Sequence, residues 1–175
     1  MKNQVPSKKE ALNLLVKSGC SKSVICHCKS VSDLATRMVM SMQKKGVNVD
    51  VELVSIGALL HDIGRSKTHK IDHAVQGAKI AVDFCLPKSI VRIIEVHIGS
   101  GIKAEEAEKL GMPKKDYLPQ TLEEKVVSYG DMLIENCTEV SYDTALQHFI
   151  ELLGSSHPSI NRFKHLHEEL QKLIG

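Results

Sequence analysis

Apolar residues recur at three- and four-residue spacing along most of the chain, and no segment alternates over the length of a strand, so the pattern predicts a series of seven or eight helices. Ser7 and Glu10 form a capping-box pair ahead of Ala11, Leu12, Leu14, Leu15 and Val16, with Gly19 as the stop. A second helix is predicted over about 23–45, where Val24, Cys28, Val31, Ala35, Met38 and Met42 make one buried stripe. Residues 50–65 differ. Val51, Leu53, Val54, Ile56, Ala58, Leu59, Leu60 and Ile63 occupy most of the circumference, and a helix apolar nearly all round lies at the centre of its bundle.

Further helices are predicted over 72–84 and 88–98, separated by Pro87. The stretch 99–119 holds Gly99, Gly101, Gly111, Pro113 and Pro119 and reads as a loop with one small helix, a rim or lid in one reading and ordinary surface in the other. Thr121 and Glu124 form another capping box, opening a helix through Asp131 to about residue 134, and 141–153 and 159–174 supply the last two. The expected architecture is an all-α, non-repeating single domain spanning 1–175, with its core at about 20–135 and additional C-terminal helices.

Composition narrows the field little. Lys and Arg total 23 against 21 Asp and Glu, a formal net charge of +2, so charge demands no nucleic-acid partner. Residues 1–30 carry six Lys against Glu10 alone, which fits a solvated helix face. No apolar run approaches the roughly 20 residues of a membrane span, and no membrane partner is expected. The five cysteines, Cys20, Cys26, Cys28, Cys85 and Cys137, are odd in number and follow no staple-like spacing. They point to a reducing cytoplasm without disulfides, with Cys26 and Cys28 packed in a helix rather than holding zinc. The six Phe and Tyr residues are widely spaced and make no stacking platform, so a nucleic-acid partner is not expected, and there is no phosphate-cradling glycine loop.

Core packing leaves several polar residues unexplained. His61 and Asp62 end the central apolar helix, and a buried carboxylate needs a positive partner or strong hydrogen bonds. A divalent cation would satisfy Asp62, and so would an ion pair with Arg65 or a Lys. His27 comes from an earlier helix and Asp131 from a later one, with His69, His73 and His97 between.

The ordered set resembles that of the HD-domain metal-dependent phosphohydrolases. His61-Asp62-Ile63-Gly64 matches the HDIG form of the central motif, after the run-in Gly57-Ala58-Leu59-Leu60. His27-Cys28-Lys29-Ser30-Val31 resembles the first ligand helix, and Val126-Val127-Ser128-Tyr129-Gly130-Asp131 the helix of the final aspartate. The resemblance covers about 20–135 and implies that His27, His61, Asp62 and Asp131 hold a metal. His73 and His97 fall where some branches bind a second metal or the phosphate. The layout is similar to that of the branch hydrolysing symmetric dinucleoside tetraphosphates, but other branches share it. Where guanosine-polyphosphate hydrolases place acids after the motif, this chain has Arg65, Lys67, His69 and Lys70, and the extended second signature of the cyclic-dinucleotide branch is missing.

The expected activity is metal-dependent hydrolysis of a phosphate ester or phosphoanhydride in a nucleotide or related small phosphorylated molecule. Two imidazoles and two carboxylates suit one or two ions of Mn, Co, Ni, Fe or Mg, with zinc also possible, and leave room for water. Asp62 is the candidate to orient or deprotonate that water. Arg65, Lys67, His73 and His97 are candidates for phosphate. The alternative is an HD-like regulatory or nucleic-acid-associated module that binds metal without catalysis. Oligomeric state is left open.

Overall fold

The computed structural model describes residues 4–175, and among these are nine α-helices, one 3-10 turn and one small hairpin. Helix α1 (Lys8–Ser18) starts at the Ser7–Glu10 capping box, with the Ser7 amide 2.8 Å from Glu10 Oε2, and stops at Gly19, whose φ of 88° suits a residue without Cβ. Helix α2 (Lys22–Lys44) buries the predicted stripe from Val24 to Met42. Helix α3 (Val51–Leu60) packs against α1, α2, α5 (Lys88–Val96) and α7 (Leu122–Met132), the central position that its all-round apolar surface predicts. It feeds two apolar clusters at once. Val54 and Ala58 face the cluster of α2, α7 and the C-terminal helices, while Ile56, Leu59 and Leu60 face that of α1, α4 (His73–Asp83) and α5.

The predicted helix over 50–65 is really two elements. The α-helix ends at Leu60, and the chain tightens into a 3-10 turn at Ile63–Ser66. Gly64 explains the fit of that turn. A Cβ there would lie 1.9 Å from the His73 carbonyl oxygen, so only glycine lets the turn lie against the start of α4.

The stretch 99–119 contains α6 (Ala104–Lys109) and is closed by an isolated bridge between Ile102 and Tyr117. Ile102, Ala107, Met112 and Tyr117 pack with Val96 into a small core of their own, so the segment is a packed appendix to α5. Helix α8 (Tyr142–Leu153) and α9 (Pro158–Ile174) close the other side, where Phe163 and Leu166 join the larger cluster.

Two features depart from the sequence reading. Strands β1 (Ile134–Glu135) and β2 (Thr138–Glu139) pair antiparallel, Ile134 opposite Glu139, around the turn Asn136-Cys137. Two-residue strands are too short to show alternation, although Asn136, at φ 57°, is a residue type that tolerates this conformation. Secondly, Cys26 and Cys137 form a disulfide, with Cα atoms 5.8 Å apart across 111 residues of sequence. The expectation of no disulfide fails because the two partners meet only when the hairpin folds onto α2. Cys28, in contrast, is buried as expected. Among the described residues no helix is long and apolar enough to cross a membrane.

Candidate metal centre

Five helices and the break before the 3-10 turn bring six predicted residues to one place. His27 comes from the first part of α2 and His61-Asp62 from the break between α3 and the turn. His73 opens α4, His97 follows α5, and Asp131 lies in the last turn of α7. An unbroken α3 would splay His61 and Asp62 about 100° apart. Because the helix ends at Leu60 and the 3-10 turn begins at Ile63, the two residues lie in the break between them and both point inward, with His61 Nε2 3.8 Å from Asp62 Oδ2. The loop after His97 is tied to α7 by the Ser128 hydroxyl, which donates to the Gly99 carbonyl one turn before Asp131.

Every one of the four rings spends Nδ1 on a backbone carbonyl. His61 donates to Ala58 at 2.6 Å, His73 to Lys70 at 2.7 Å, His97 to Ile94 at 2.7 Å and His27 to Asn136 at 2.9 Å. A carbonyl only accepts, so Nδ1 carries the hydrogen in each, and Nε2 of a neutral ring is an acceptor. Those acceptors converge on carboxylates. His27 and His61 Nε2 lie 2.8 and 3.2 Å from Asp131 Oδ1. On the other side His73 and His97 Nε2 lie 3.1 and 3.4 Å from Asp62 Oδ1, and 3.1 Å from each other. Acceptors facing acceptors at these distances repel unless a proton or a cation lies between them.

His61 Nε2 and Asp62 Oδ1 are buried without a hydrogen-bond partner, an expensive condition in a polar cluster of this depth. The donor set therefore fits a divalent ion. Two overlapping groups have ligand atoms within 4.8 Å of one another, His27 with His61 and Asp131, and His61 with Asp62 and His97. His61 belongs to both. Mixed imidazole and carboxylate donors of this kind suit first-row metals.

Protonation follows the same geometry. Burial works against a charged His61, but the carboxylates of Asp62 and Asp131 outweigh it and raise its pKa to about 9. Burial likewise opposes ionisation of Asp62 and Asp131, yet His61 and the other imidazoles hold both carboxyls well below the usual range. His97 is lowered, by burial first and by His61 and His73 after it.

Arg65 is placed in an ion pair, Nε 2.5 Å from Asp62 Oδ2, and it also lines the mouth of the site. The sequence offers this pairing as an alternative to metal, and the structure holds the pair beside the metal-ligand set. The mouth is a cavity of about 270 Å³ whose wall also includes Ser23, His69, Asn136 and Cys137. Lys67 is exposed and outside that wall, and no residue of 99–119 lines it, so the reading of that segment as rim or lid gains no support. Sequence reasoning missed Asn136 and the other anchoring carbonyls. For His61, His73 and His97 the anchor is the residue three positions earlier, a spacing visible in sequence, whereas nothing local connects His27 with residue 136.

Comparison with known proteins bears on the family and the fold. The family model described as HD domain matches residues 24–134. Uncharacterized protein MJ0778 of Methanocaldococcus jannaschii is 47% identical over 165 residues, covering 94% of this chain and 97% of its own. A tRNA (cytidine(56)-2'-O)-methyltransferase of Picrophilus torridus is 39% identical over 171 residues, 98% of this chain, which spans 48% of the methyltransferase's length. The crystal structure of the HD domain of L. monocytogenes phosphodiesterase PgpH, in complex with cyclic-di-AMP, superposes with a TM-score of 0.58. It is 18% identical and is matched over 92% of this chain and 93% of its own, a likeness of fold.

Proposed function

Since the chain belongs to the HD-domain family, we propose that it is a metal-dependent phosphohydrolase acting on a phosphoester of a nucleotide-class molecule. His27, His61, Asp62 and Asp131 hold the ion in this reading, and His73, His97 and Arg65 meet the phosphate or, for the two histidines, a second ion. The observation that carries it is the convergence of four imidazoles and two carboxylates on one space where His61 Nε2 and Asp62 Oδ1 are buried and make no well-aligned hydrogen bond. A bound divalent ion supplies an acidified water and a polarised phosphoryl oxygen. The rest falls to the chain. Asp62, a ligand in this reading and already paired with Arg65, has its oxygens committed to these partners, which favours orienting the water over deprotonating it. Arg65 uses Nε on Asp62, and its terminal nitrogens are the planar donors proposed for phosphate at the mouth.

The PgpH domain's ligand, cyclic-di-AMP, supports a phosphodiester within a nucleotide as the class to try first. One observation favours a second reading, a module serving RNA modification: nearly the whole chain corresponds to about half of a tRNA methyltransferase. The test loads the protein with Mn²⁺, Co²⁺, Ni²⁺, Mg²⁺ or Zn²⁺. It then offers p-nitrophenyl and bis-p-nitrophenyl phosphate, mononucleotides, dinucleoside polyphosphates, cyclic dinucleotides and a short RNA, beside an Asp62→Ala control. Turnover above the control supports the hydrolase. Tight metal binding without turnover on every class supports the module.

A further inference from the structure

The hairpin that carries the anchor of His27 is seated at its base by Ile134, buried in the larger cluster, and by the Glu135–His148 pair, while its turn lies away from that core. Each strand is two residues long, and two-stranded ribbons of this size are marginal by themselves. The hairpin is also fixed to α2, by the Cys26–Cys137 disulfide, by the Ser30 hydroxyl donating to the Cys137 carbonyl at 2.9 Å and by the exposed Arg37–Glu139 ion pair. Both bonded cysteines adjoin the parts that matter. Cys26 precedes His27 on the helix, and Cys137 follows Asn136, whose carbonyl accepts from His27 Nδ1. Cys137 also lines the mouth of the site and Cys26 is exposed, so a thiol reagent can reach the bond.

We propose that the Cys26–Cys137 disulfide, acting through the Asn136 carbonyl, is a redox-controlled positioning device for His27. Closed, it holds the ring with Nε2 toward Asp131; opened, it frees the turn and weakens the centre's hold on metal. The inference rests on the metal-centre reading above. Opening is thiol–disulfide exchange with a small-molecule or protein thiol. Two thiols give up two electrons and two protons, leaving Cys26 and Cys137 as thiols and the reductant as its disulfide. Closing reverses this with a disulfide oxidant. The oxidant is attacked first by the thiolate of Cys26, the more exposed residue, which expels one thiol; the Cys137 thiolate then attacks the Cys26 sulfur of the mixed disulfide, and the oxidant's second thiol leaves. Cys28 is fully buried, out of reach of the exchange.

The test begins with protein purified without reductant, denatured, alkylated and digested. A Cys26–Cys137 linked peptide with three alkylated cysteines is expected, and five free thiols overturn the proposal. Mn²⁺ is then titrated calorimetrically into oxidised protein, phosphine-reduced protein, Cys26→Ser, Cys137→Ser and His27→Ala. Loss of an orienting partner weakens metal binding by about 10-fold or more. The reduced protein and both serine variants should therefore fall about 10-fold below the oxidised wild type and agree with one another. In His27→Ala the ratio of oxidised to reduced affinity should be one, which a merely stabilising disulfide would not produce. Circular dichroism confirms that each form is folded, and reduced wild type keeps the comparison valid if a serine variant is not. Equal affinity in oxidised and reduced wild type overturns the clamp. A redox-dependent affinity with no turnover on any phosphate overturns only the hydrolase reading.

Discussion

The two halves of the metal centre are built differently. On the inner side, His61, His73, His97 and Asp62 have side chains no more than 5% exposed, and each ring is anchored on the carbonyl three residues before it. On the outer side, His27 and Asp131 are 18% and 21% exposed, and the His27 anchor lies 109 residues away in a two-residue turn. Local backbone geometry orients the inner rings once the core has formed: the last helical turn for His61 and His97, and the turn leading into α4 for His73. The outer ring is oriented only after tertiary assembly, so it is the half that can be loosened without unfolding the other.

The largest effect should separate the halves directly. Asp62→Ala removes the carboxylate that faces both pairs of imidazoles and should lower kcat on any phosphoester substrate by about 10³-fold or more. His27→Ala, losing one outer ligand, should lower metal affinity by roughly 10- to 100-fold while the metal-saturated enzyme keeps part of its rate. Equal, complete loss in both would erase the distinction. The next effect falls on stability. Gly64→Ala drives a methyl group into the His73 carbonyl and should destabilise the fold by about 3 kcal/mol, seen as a lowered Tm in a thermal melt. A melt within a degree of the parent would mean that the turn and α4 are not locked together.

Much of this contrast is legible in the chain. The all-round apolar face of 51–60 places α3 at the centre, and His61-Asp62 at its end marks where the polar cluster must lie. The order of His27, His73, His97 and Asp131 carries the rest of the inner and outer sets. The break after Leu60 is hidden, because Ile63 continues the helical pattern and only the close approach of Gly64 to α4 demands a tighter turn. Equally hidden are the hairpin, whose strands are too short to show alternation, and its disulfide and His27 anchor, which join residues more than 100 positions apart.

pH sharpens the comparison from another side. With its pKa raised to about 9, His61 is protonated at neutral pH in the metal-free protein, and a metal must displace that proton. Apparent Mn²⁺ affinity should rise up to about tenfold per pH unit between about pH 6.5 and 8.5, with proton release visible as a buffer-dependent calorimetric heat. The sign for metal-free stability is opposite: the His61 contribution is complete below about pH 6.5 and is lost as pH rises through about 9. A pH-independent affinity would show that His61 binds no proton in competition with the ion. Smallest of all, Lys67→Ala removes an exposed charge outside the mouth and should change kcat/KM by less than about threefold, and less still at high salt.

The most direct measurement is the anomalous diffraction of crystals grown with Mn²⁺. The account predicts density among His27 Nε2, His61 Nε2 and carboxylate oxygens of Asp62 and Asp131, with at least one coordination position taken by water. An ion held elsewhere, or none at millimolar Mn²⁺ with the six side chains placed as described, would contradict it.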